Sequence, residues 1–72
     1  MSGADVVLLR AQLLQLTERL IRENRDSLAA GAVIRAVAAA RDELRAAGVQ
    51  NGLLPAVEAM ARQRLQMQLN RA

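Results

Sequence analysis

Val6, Leu9, Leu13, Leu16 and Leu20 step through the first third of the chain by threes and fours. That is the spacing of one face of an α-helix. Val7, Leu14 and Ile21 make a second row beside the first. Successive helix residues turn by about 100°, so the two rows together cover about half the circumference. This is wider than one packed neighbour requires. Leu8 lies outside both rows, among Gln12, Gln15 and Arg19. No segment alternates with the two-residue period of a strand.

Two more helices follow. The segment ENRDSLAAG turns the chain, because Asn24, Asp26 and Ser27 can bond backbone groups locally. The second helix begins between Leu28 and Ala32. Its apolar row passes through Val33 or Ile34, Val37, Ala40 or Arg41, and Leu44. Gly48 should end it in a Schellman arrangement, with Leu44 and Val49 as the flanking apolar pair. Asn51 is the expected cap of the third helix, with Gly52 in its first turn. Pro55 fits near that helix start, where its missing N–H costs least. Ser2 and Asp5 are the expected cap and dipole partner of the first helix. The predicted helices run over about residues 4–23, 30–47 and 53–69 within a single domain, 1–72. The closing residues LNRA are expected to fray.

Short loops favour antiparallel neighbours. The fold expected is all-α, a small antiparallel three-helix bundle that dimerises. The second helix is rich in alanine and valine, so the surplus Leu, Val and Ile of the first are expected to cover it.

A chain of 72 residues is marginal on its own and usually needs a staple. Cys and His are both absent, which removes disulfides and the commonest metal ligand. Phe, Tyr and Trp are absent too, so no aromatic anchors the core. Association with another chain is the staple left, and a two-fold homodimer is its commonest form. Leu9, Leu13, Leu16 and Leu20 are the expected interface. Val37, Leu44, Val57 and Met60 are the expected core within the chain. Met67 reads as core or interface filler.

The same composition restricts chemistry. Ser2, Thr17 and Ser27 carry the only hydroxyls, and no His is present to activate them. Asp42 and Glu43 are adjacent on a helix and point apart. Glu18–Arg22, Glu58–Arg62 and Asp42–Arg45 have the spacing of ordinary surface ion pairs. The four glycines are scattered, so there is no phosphate loop. The expectation is a non-enzymatic protein with no catalytic residue, no metal and no cofactor.

All ten basic residues are Arg, and the net charge is +3. A small helical nucleic-acid-binding regulator is therefore the alternative reading. Against it, the arginines are interspersed with acids and form no basic stripe. Without aromatics there is no base stacking either. The apolar fraction of 53% is too high for a disordered chain. No apolar run is long enough to span a membrane, and the first residues do not resemble a signal peptide. A cytoplasmic protein is expected, with a second copy as partner and another protein as the other candidate. Nucleic acid and membrane are not expected partners.

One run goes beyond a generic helix pattern. It combines the row Val33, Val37, Ala40, Arg41, Leu44 with the step Leu53–Leu54–Pro55 and the set Val57, Glu58, Ala61, Arg62, Leu65. Residues 33–65 thereby resemble the three-helix-bundle dimerisation domain of actinobacterial proteins, which occurs alone or ahead of a phosphatase-like arsenate reductase domain. The segment Leu16–Leu20 extends the likeness into the first helix. The resemblance implies self-association. It implies no catalysis, because the reductase loop needs a cysteine. The chain departs from such domains in lacking the aromatic of their first helix.

Overall fold

The computed structural model describes residues 3–71, and all their side chains except those of Ala4 and Asp5. The cap expected at Ser2 and the carboxylate of Asp5 therefore lie outside the described residues. Three helices account for nearly all of the rest: α1 Gly3–Glu23, α2 Ala30–Ala46 and α3 Leu53–Arg71. No strand occurs among the described residues. The helices pack into a body of 41 × 22 × 15 Å.

Each junction has a local cause. At the end of α1, the Asn24 side-chain amide donates to the Leu20 carbonyl at 2.8 Å. The Asn24 backbone N–H reaches the same carbonyl at 3.1 Å. The Asn24 carbonyl then accepts from Ser27 and Leu28. One side chain thus closes α1 and its backbone opens the turn. Ser27 does not cap α2: the cap position is Ala29, which has no side-chain bond to give.

The end of α2 is a full Schellman motif. Gly48 N–H donates to Arg45 O, and Val49 N–H to Leu44 O, both at 3.0 Å. Gly48 sits at φ +81, the left-handed region that glycine enters without a Cβ penalty. The helix stops at Ala46, one residue short of the expected end, because Ala47 is its cap.

Gly52 differs from expectation. It lies outside α3 at φ +66, and its carbonyl accepts the first bond of the helix, from Ala56 N–H. Gly52 itself therefore occupies the cap position, not Asn51, and a left-handed φ keeps it out of the first turn. Pro55 is the third residue of α3, where a missing N–H costs nothing. The helix continues to Arg71 rather than fraying at Leu69.

The core is built from Leu, Val and Ala alone. Leu16 and Leu20 of α1, Val33, Ala36, Val37 and Ala40 of α2, and Val57, Ala61 and Leu65 of α3 form one buried cluster. Leu13, Ile21, Leu28, Leu44, Leu53, Leu54 and Met60 pack around it, partly buried. Val57, Ala61 and Leu65 follow one another at i+4, a narrow buried stripe along α3. The most extensive contact is α2 with α3, and each contributes buried alanine to the core. Small residues on α2 thus meet small residues on α3, as well as the leucines of α1.

Candidate interaction surface

The fully buried residues of α1 lie in its second half. Leu16 is 3% exposed and Leu20 is 0%. Toward the N-terminus Leu9 and Leu13 are only half-buried, and the apolar side chains beside them are exposed. Val7 is 67% exposed, Leu8 57% and Leu14 60%. Val6 is also exposed. Among the described residues, Ile34 on α2 and Met67 on α3 are the other large apolar side chains left in water. Four of these six belong to α1.

The four residues expected at the interface divide accordingly. Leu16 and Leu20 are core, covered by α2 and α3, so they offer no surface to a partner. Leu9 and Leu13 are half-buried and line a cleft between α1 and the α2–α3 turn. The outward stripe is carried instead by Val7 and Leu14, the row set beside the first, with the exposed Ala11 between them. Periodicity identified both rows; it does not say which one turns inward. The expected core residues fare differently. Val37 and Val57 are buried, and Leu44 and Met60 pack partly buried against the core. Met67 lies exposed, outside it.

Charge is organised along the contact of α1 with α3. Arg19 meets Glu58 at 3.1 Å, Glu58 meets Arg62 at 3.1 Å, and Arg62 meets Glu23 at 2.9 Å. The chain Arg19–Glu58–Arg62–Glu23 alternates in sign from end to end. Only its Glu58–Arg62 link lies within one helix at the expected i,i+4 spacing. Arg64 of α3 pairs with Glu43 of α2. Asp42 reaches Arg41 rather than Arg45. The hydrogen bond from Arg62 holds the Glu23 carboxyl below its ordinary value of 4.5, helped by the charges of Arg62 and Arg19 and opposed by burial. The same bond, with the one to Glu58, raises Arg62.

Among the described residues, the hydroxyls are those of Thr17 and Ser27. Thr17 donates to the Leu13 carbonyl at 2.8 Å, the back-bond of a helix residue. Ser27 sits exposed in the first turn. No three His, Cys, Asp or Glu among the described residues gather as metal ligands would. No helix among them is long and apolar enough to cross a membrane. Comparison with protein-family models, with curated proteins and with solved structures finds no match for this chain.

Proposed function

We propose that the chain is a non-enzymatic self-association module, an antiparallel three-helix bundle that pairs as a cytoplasmic homodimer through the outward face of α1. The observation that carries this reading is the exposure of Val7 and Leu14 on one face of α1, with Leu8 also exposed on the same helix. Full burial of one such side chain contributes roughly 1.5–3 kcal/mol. A domain this small has only about 5 kcal/mol in total. Three left in water therefore forgo an amount comparable with the whole stability of the fold. The constant spacing of Arg19–Glu58 and Glu23–Arg62 supports α1 and α3 running the same way, with α2 reversed between them.

A second copy suits this stripe for a further reason. Val7 and Leu14 flank Ala11, whose small side chain lets two helices approach closely where they cross. Two-fold pairing brings the same stripe from each copy to one seam. The resemblance of residues 33–65 to a dimerisation domain points in the same direction.

The test is the solution mass of the purified chain by light scattering, over a dilution series at low and high salt. The expected outcome is a dimer insensitive to salt, because its contact is apolar. A folded monomer at all concentrations would defeat the reading. Retardation of duplex DNA that fades steeply with salt would favour the nucleic-acid alternative.

A further inference from the structure

On the side of α1 away from the Val7–Leu14 stripe, its N-terminal half stands off from the rest of the bundle. The gap is an open cleft of ≈ 890 Å³. Val6, Leu9 and Leu13 line one wall; Leu53, Leu54 and Pro55 line the other. Arg10, Arg41 and Arg45 border it, contributed by α1 and the last two turns of α2. Among the described residues that line it there is no carboxylate. The bond between Arg41 and Asp42 is long, 3.4 Å, and leaves Arg41 Nε buried without a hydrogen-bond partner. Arg10 and Arg45 take part in no ion pair among the described residues. The remaining polar liners, Gln12 and Gln50, are neutral.

We infer that this cleft binds an aliphatic carboxylate, an anion of the fatty-acid class, with its chain between the two leucine walls and its head among the three guanidinium groups. The lining selects this chemistry by elimination. A small anion such as phosphate neutralises the arginines but leaves the apolar walls wet. A neutral hydrocarbon covers the walls and leaves the charges of Arg10 and Arg45 and the buried Arg41 Nε unanswered. An amphipathic anion satisfies both, and guanidinium groups bond carboxylates with charge-assisted geometry. The inference goes beyond self-association and does not depend on it, because the cleft and the outward stripe lie on different sides of α1.

The experiment is calorimetric titration of the full chain with dodecanoate below its micelle concentration. Dodecanol, inorganic phosphate and an acidic amphipathic peptide are the comparison probes. Arg41→Gln removes one guanidinium; Gln50→Glu places a carboxylate on the rim with almost no change of shape. Both positions are at least partly exposed, and circular dichroism verifies that each variant folds. Light scattering of the same samples reads the oligomeric state separately. The expected result is saturable binding of one dodecanoate per chain, weakened roughly tenfold in each variant, the scale of one charge-assisted hydrogen bond. Dodecanol and phosphate should bind at least that much more weakly. Four results would overturn the inference: no dodecanoate binding, equal binding of dodecanol, variants that bind like the parent, or preference for the peptide over dodecanoate.

Discussion

Two glycines show how a single residue can be right or wrong for its place. Gly48 ends α2 at φ +81, and a Cβ added there meets nothing within 4 Å. The cost of Gly48→Ala is therefore backbone strain alone, about 1–2 kcal/mol for an L-residue held in the left-handed region. Gly31 is the reverse case. It lies in the first turn of α2, and an added Cβ meets only the flexible tip of Arg35, at 3.4 Å. Gly31→Ala should stabilise the chain by about 0.4–1 kcal/mol, mainly by reducing the freedom of the unfolded backbone. Urea unfolding of the two variants should move the midpoint in opposite directions. Gly48 was legible in the sequence because its cap needs a glycine followed by an apolar residue, and both are present. Gly52 was not, because Asn51 is the better cap by chemistry. What decides there is the backbone turn between α2 and α3, which no side-chain pattern records. Ala61 carries a third residue-scale expectation. It is fully buried in the core, so Ala61→Leu should overpack the bundle and cost about 1–3 kcal/mol in the same assay.

At the scale of helices, the sequence reveals periods but not partners. The existence and rough ends of α1, α2 and α3 follow from apolar spacing, Asn24, Gly48 and Pro55. The expected Glu58–Arg62 pair is present because both residues lie on one helix. The pairs Arg19–Glu58 and Glu23–Arg62 join residues on different helices, and helical spacing says nothing of them. Nor does it say that α2 would meet α3 most extensively, bringing Ala36, Ala40 and Ala61 into one core. The α1–α3 ion chain has a pH signature. Glu23 has its folded pKa depressed by Arg62. Its contribution is therefore present above the ordinary carboxylate value of 4.5 and is lost as the pH falls through the lowered one. Glu23→Gln should lower the unfolding midpoint slightly at neutral pH. The gap between variant and parent should close as the carboxylate is protonated. It should also shrink in high salt, since both partners are nearly half exposed. A gap that persists in acid would assign the effect to packing of the side chain, not to its charge.

For the whole molecule, the decisive matter is which row of α1 faces out. The two rows have similar side chains and span the same stretch of helix, and apolar spacing alone does not say which of them meets α2 and α3. The bundle chooses. Leu16 and Leu20 fill the space against Val33, Val37 and Val57, and Val7 and Leu14 are thereby turned to solvent. Substitutions in the two rows should then fail differently. Leu20→Ala empties a fully buried site and should cost about 2–5 kcal/mol, enough to unfold a domain of this size. Its far-ultraviolet circular dichroism should collapse and its thermal transition should disappear. Leu14→Glu changes a side chain already 60% exposed and opens no cavity. Helicity and thermal transition should survive in the monomer, while the proposed dimer should be lost, because pairing would bury two carboxylates across one seam. Light scattering beside circular dichroism reads both properties on one sample. Loss of mass with helicity intact at Leu14, set against loss of helicity at Leu20, separates the surface row from the core row. If Leu14→Glu leaves the mass of a dimer unchanged, the copies meet elsewhere. The exposed Ile34 and Met67 would then be the next side chains to substitute.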